Sequence, residues 1–226
     1  MIRQALLYDK LDDQRVRCNL CAHRCAINPN RRGICGVREN RDGLLYSLVY
    51  ATLIAENIDP IEKKPFFHVL PGSLSYSIAT VGCNFRCSFC QNHEISQMPS
   101  TSIMIAGNEV SPQAIAKEAA ASGCKTIAYT YTEPTIYFEL AIDTAKIAAV
   151  NGLKNVFVTN GFMTTEAIEM ISPYLAAANV DLKSFREDFY KKHCGAKLAP
   201  VLESLKKMKE KGIWVEITTL LIPTLN

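Results

Sequence analysis

No stretch of this chain is apolar for long enough to cross a bilayer, and Met1–Lys10 carry no signal peptide. The chain therefore reads as cytoplasmic, with no membrane partner. Excess charge is missing too. Lys and Arg total 25 against 22 Asp and Glu, and the resulting +3 singles out no class of partner. No glycine-rich phosphate fingerprint follows the first strand of its repeating part, which argues against a doubly wound nucleotide-binding fold. Cysteine, by contrast, is plentiful. In a reducing compartment nine clustered thiols read as metal ligands before they read as disulfides.

With 226 residues, 48% of them hydrophobic, the chain has material for one domain of ordinary size or one domain with an appendage. From about residue 75 short apolar runs alternate with helical patterns. Strands are predicted at Tyr76–Val81, Thr126–Tyr129, Asn155–Thr159, Ala178–Leu182 and Ile213–Ile222. Helices are predicted at Gln113–Ser122, which starts after Ser111-Pro112, and at Thr135–Val150, Thr164–Ile171 and Leu198–Lys211. Repeated βα units with apolar strands imply parallel pairing and right-handed crossovers. In a β/α barrel the chemistry stands at the carboxyl ends of the strands, where the residues of interest fall here. The expectation is an α/β partial barrel over residues 75–226, cut short after about strand five. Residues 1–74 would form a cysteine-rich N-terminal cap. That cap contains Gly43–Ile58, of hairpin-like β character, and Lys63-Lys64, read as a solvated turn.

Cys83, Cys87 and Cys90 stand directly after the first barrel strand, spaced C-x3-C-x2-C with Phe89 before the last. Three thiolates on one short loop can hold three irons of a cubane cluster and leave the fourth open to a small molecule. Zinc is the structural competitor, but it ordinarily takes four ligands. Further along, Glu133, Asn160, Asp181 and Lys183 close successive strands. Glu133 offers an acceptor, Asn160 a donor and an acceptor, and Asp181 and Lys183 share one face of their strand. Taken singly, these are an exposed carboxylate, a common Thr-Asn-Gly turn and a self-contained ion pair. Their joint position at strand ends makes them a candidate site.

Together these segments resemble a known family. Cys83 to Asn92, Ala128-Tyr-Thr-Tyr-Thr-Glu-Pro134, Val158-Thr-Asn-Gly161 and Asn179-Val-Asp-Leu-Lys183 are similar to the pyruvate formate-lyase activating enzymes of the radical S-adenosylmethionine (SAM) superfamily. Cys18-Asn-Leu-Cys-Ala-His-Arg-Cys25 and Asp59-Pro-Ile-Glu-Lys-Lys-Pro65 extend the likeness to the radical SAM family of the AmmeMemoRadiSam system. The resemblance implies a partial (β/α)6 barrel and a [4Fe-4S] cluster on Cys83, Cys87 and Cys90. Phe89 would lie near the adenine, and Glu133, Asn160, Asp181 and Lys183 along SAM. Reductive cleavage of SAM would give a 5′-deoxyadenosyl radical that abstracts hydrogen from a protein or small-molecule substrate. The electron would come from an external ferredoxin or flavodoxin. One departure stands out: Tyr131 and Thr132 occupy positions where activating enzymes typically carry two glycines.

A second set, Cys18, Cys21, Cys25 and Cys35, has the spacing C-x2-C-x3-C-x9-C and is read as a possible second metal site, zinc or iron–sulfur. His23 is read as a surface residue. Seven arginines surround this set: Arg15, Arg17, Arg24, Arg31, Arg32, Arg38 and Arg41. With no aromatics between them, they read as a solvated face or a docking face against the barrel rather than a nucleic-acid contact. Cys194 follows His193, but adjacent residues rarely aim together, so no catalytic pair is assigned. Trp214–Ile222 is expected to be an apolar edge strand, in a barrel whose last units are missing from the chain. The alternative to an enzyme is a non-catalytic, metal-stapled scaffold or an inactive fragment that docks on a partner protein.

Overall fold

The computed structural model of the protein describes residues 1–101 and 104–226. Its centre is a six-stranded sheet: β1 (Ala55–Pro60), β2 (Leu74–Ala79), β3 (Thr126–Tyr129), β4 (Lys154–Thr159), β5 (Leu175–Asp181) and β6 (Trp214–Thr218). The strands lie in sequence order. β2 to β6 run parallel, and β1 pairs antiparallel with β2 along one edge. All four residues of β3 are buried, as a strand covered on both faces should be. The sheet curves into part of a barrel and does not close.

Helices α1 (Pro112–Ala121), α2 (Phe138–Val150), α3 (Thr165–Ile171) and α4 (Leu198–Glu210) cross between the strands. Their starts are set locally. The Ser111 hydroxyl accepts from the Ala114 N–H at 3.2 Å, and the Thr164 hydroxyl accepts from the Ala167 N–H at 3.2 Å. The helix expected from Thr135 begins as a tight 3-10 turn, Pro134–Tyr137, and becomes regular at Phe138. Proline at its first position suits that turn. Among the described residues no helix is long and apolar enough to cross a membrane.

Three expectations change. The sheet takes β1 from the segment assigned to the cap, so the boundary at 74 falls after the first strand of the sheet rather than before it. The hairpin expected over Gly43–Ile58 splits accordingly: Leu44–Ser47 pairs back on Arg38–Arg41, while Ala55–Pro60 joins the central sheet. The last strand ends at Thr218, not Ile222. Beyond it the Asn226 amide donates to the carbonyls of Lys183 and Leu220, at 2.8 and 2.7 Å, and curls the chain back.

The N-terminal region packs directly on the barrel. Residues such as Val16, Leu20 and Val37 share one apolar cluster with Ile78, Ile127 and Phe138. The Arg38 guanidinium donates twice to Glu139 on α2, at 2.9 Å each, and the Leu6 N–H donates to the same carboxylate at 3.0 Å. Both side chains of the pair are 2% exposed. Arg24 pairs with Glu166 on α3 at 2.8 Å. These arginines dock the cap on the barrel.

Candidate active site

The carboxyl ends of β2, β3, β4 and β5 surround a cavity of about 310 Å3. Each strand delivers something to it. The Cys83–Cys90 loop follows β2, Thr130–Glu133 follow β3, Asn160 follows β4, Asp181 ends β5 and Lys183 lies just beyond it. Cys83, Cys87, Cys90, Phe89, Glu133, Asn160, Asp181 and Lys183 all line it, so the structure brings every residue singled out for the cluster and for SAM to one place.

The loop is held from several sides. Gly82 enters it at φ +103°, where a side chain would come within 2.8 Å of Val37 Cγ1 and 3.1 Å of the Cys35 carbonyl; only glycine fits. The N–H groups of Arg86 and Ser88 donate to the carbonyls of Cys194 and His193 at 2.9 Å each. A π-type turn, Tyr190–Cys194, thus braces the loop from outside. His193 rests on Phe189 and Phe189 on Phe89, with ring centres 5.0 and 5.7 Å apart. His193 and Cys194 do not act together: His193 meets Ser88, and Cys194 lies buried against Cys87. A hydrogen bond donated by Cys194 draws the Cys87 thiol below its ordinary range, against the effect of burial.

The polar residues are already engaged. One Glu133 oxygen accepts from the Thr159 hydroxyl at 2.7 Å, the Thr135 N–H at 3.0 Å and the Thr135 hydroxyl. The other accepts from the Asn160 N–H at 2.8 Å. Burial still pushes this carboxyl up, against those bonds. Asn160 donates to the Asn84 side chain at 2.7 Å and accepts from the Phe162 N–H at 3.0 Å. Lys183 reaches Asp181 at 2.6 Å. Burial acts to discharge Lys183, but the neighbouring carboxylate prevails and holds the ammonium above its usual range. The cavity therefore keeps a fixed cation at the end of β5.

Sequence reasoning missed one group. Lys64 is not part of a solvated turn: it is 2% exposed and lines the cavity. Its ammonium donates to Asp59 at 2.6 Å and to the Tyr131 hydroxyl at 2.9 Å, and lies 4.3 Å from the Tyr131 ring centre. The Tyr131 hydroxyl in turn donates to Asp59 at 2.7 Å. Tyr131 takes φ +61°, a region costly for an aromatic residue. The signal was the Tyr-Thr pair standing where activating enzymes typically carry two glycines. The backbone keeps a glycine-like turn and carries a ring on it.

Cys18, Cys21, Cys25 and Cys35 line a separate cavity in the cap, together with His23, Arg38 and Asn84. His23 is half-buried rather than a free surface residue. Its Nε2 lies 2.8 Å from the Asn84 carbonyl oxygen and its ring 4.8 Å from that of Phe162. Burial pushes the Cys35 thiol up to about 11.

Parallel strands of a partial barrel thus deliver three thiols, a half-buried cation and an aromatic ring to one cavity. The chain belongs to the radical SAM superfamily, which matches residues 77–226. Over its whole length it is 46% identical to Uncharacterized protein MJ0808 of Methanocaldococcus jannaschii, covering 66% of that protein. It spans between about a third and two thirds of the length of the curated relatives it matches. A radical SAM methyltransferase from Sphaerobacter thermophilus has a similar fold: TM-score 0.50, 18% identity, 69% of this chain and 50% of that one. A domain of a pyruvate-formate lyase-activating enzyme from Bacteroides vulgatus aligns with TM-score 0.41 and 20% identity, over 44% of this chain and 62% of that one. The site fits the cofactors that the superfamily uses in general, a [4Fe-4S] cluster and SAM. Three thiols face the same space as the Lys183 ammonium and the Phe89 ring.

Proposed function

We propose that this chain carries out radical SAM chemistry at the Cys83–Cys90 loop and removes a hydrogen atom from a protein or small-molecule substrate. One observation carries the reading: three closely spaced thiols share a cavity with polar groups from three further strand ends. A [4Fe-4S] cluster bound there would supply the electron for reductive cleavage of SAM. Cys83, Cys87 and Cys90 hold it. Lys183, kept charged by Asp181, meets the carboxylate of the methionine moiety, and Phe89 lies beside the adenine. Glu133 fixes the Asn160 backbone and the end of β4, so its part is to shape the wall as much as to accept from the ammonium. Asn160, tied to Asn84, couples the same wall to the cysteine loop. The electron comes from an external ferredoxin or flavodoxin. A role beside the partners of the AmmeMemoRadiSam system is the narrower form of this reading.

The test is anaerobic reconstitution with iron and sulfide, followed by electron paramagnetic resonance of the dithionite-reduced protein. The expected result is a [4Fe-4S]⁺ signal that changes shape when SAM is added, with 5′-deoxyadenosine formed. Replacing Cys87 by alanine should abolish both while the far-ultraviolet circular dichroism stays unchanged. A loop that takes up zinc and no iron, or a variant that simply unfolds, points instead to the scaffold.

A further inference from the structure

The four cysteines of the cap are lined up for more than packing. Arg38 Nε and Asn84 Nδ2 are buried N–H donors with no acceptor, in residues only 2% and 1% exposed. Both residues line the cavity of the four thiols. Their other polar groups are satisfied: the Arg38 Nη atoms by Glu139, and Asn84 Oδ1 by Asn160. Buried donors left without acceptors are costly. Thiolate or sulfide sulfur would satisfy both, and hydrogen bonds to sulfur are a regular feature of iron–sulfur sites.

Coordination geometry separates a cluster from a single ion. Four thiolates on zinc, at about 2.3 Å each, stand about 3.8 Å apart. Among the described residues no three His, Cys, Asp or Glu side chains stand close enough to share one ion. That holds for Cys83, Cys87 and Cys90 as well. In a cubane each iron carries its own thiolate, so the four sulfurs need not converge on one ion. Gly33 and Gly36 flank Cys35 in the turn that brings its thiol to the other three.

Position supplies the role. Gly82 lies against the Cys35 carbonyl, and Asn84 lines the cavity of the four thiols. Between these two residues stands Cys83. One stretch of backbone therefore forms a wall of both sites.

We propose that Cys18, Cys21, Cys25 and Cys35 bind a second iron–sulfur cluster, which passes single electrons to the centre at Cys83, Cys87 and Cys90. One electron enters from the external donor and the same electron leaves to the neighbouring centre; no bond or proton moves. The electron step rests on the reading of the first site, whereas occupancy of the second does not.

The experiment compares three reconstituted proteins by iron content and electron paramagnetic resonance. Wild type should hold about eight irons, and each of two variants about four. In C83A/C87A/C90A the remaining cluster should be indifferent to SAM; in C18A/C21A it should respond to SAM. Fully reduced wild type should show lines broadened by coupling between the two spins, absent from both variants. A triple variant without iron, or with one zinc, overturns the second cluster whatever the first site does. Two clusters without spin coupling overturn the relay. If C18A/C21A does not fold, the triple variant still decides occupancy.

Discussion

Tyr131 shows how one side chain reshapes a site. Its backbone stays in the left-handed region although the ring gains nothing locally from it. The conformation persists because the hydroxyl is fixed by Asp59 and Lys64, residues 72 and 67 positions away in the chain. No local pattern links these three, which is why Lys63-Lys64 read as an exposed turn; one of the pair is exposed and the other is not. Replacing Lys64 by methionine leaves Asp59 buried with Tyr131 and an exposed lysine. The expected cost is about 3 kcal/mol of stability in urea titration, and a loss below 1 would contradict the network. The same group predicts an acid limb. Hydrogen bonds from Lys63, Lys64 and Tyr131 outweigh burial and hold the Asp59 carboxyl below the usual range. A group depressed in the folded state adds stability above its unfolded value, about pH 4, and loses it as pH falls through the folded one. Stability of the apoprotein should therefore fall below about pH 4, and less steeply in D59N.

At the scale of elements, what was legible was what local chemistry decides. β3 is legible to the residue because Thr126–Tyr129 is a short β-prone run between a glycine turn and a polar loop. α1 and α3 announced themselves through Ser111-Pro112 and Thr164. Elements set by distant partners were not legible. β1 carries Glu56 and Asn57 and owes its place to pairing with β2. The apolar Leu220 to Ile222 make β6 look longer in sequence than it is, whereas the Asn226 side chain takes the Leu220 carbonyl. The cysteine loop was plain in sequence, but not the π-type turn that braces it, nor the contact of Gly82 with Cys35. That contact makes Gly82→Ala a strong test. A methyl group there meets Val37 and the Cys35 carbonyl on backbone that L-residues avoid. We expect a loss of about 2 kcal/mol or more and weaker iron retention on the loop, measured by denaturation and metal analysis.

At the scale of the molecule, the shared apolar cluster and the buried Arg38–Glu139 pair make cap and barrel one folding unit. Trp214, the single tryptophan, sits half-exposed on β6, far in sequence from the cap. Its fluorescence and the reactivity of the cap thiols should therefore report one coincident urea transition; two separate midpoints would mean that the cap unfolds alone. The edge beside that tryptophan is tethered rather than bare. Glu216 on β6 accepts from the N–H groups of Phe67 and His68, at 3.0 and 3.2 Å.

Cys194 bears on how the protein survives handling. Its thiol lies within hydrogen-bonding reach of Cys87. When the loop carries no iron and air is present, we expect these two thiols to be oxidised to a disulfide. Cys87 is then withdrawn from service without any damage to the fold. Material purified in air should show two fewer free thiols than the same material after treatment with dithiothreitol, and should take up iron on the loop only after that treatment. Replacing Cys194 by alanine should remove the need for the reductant.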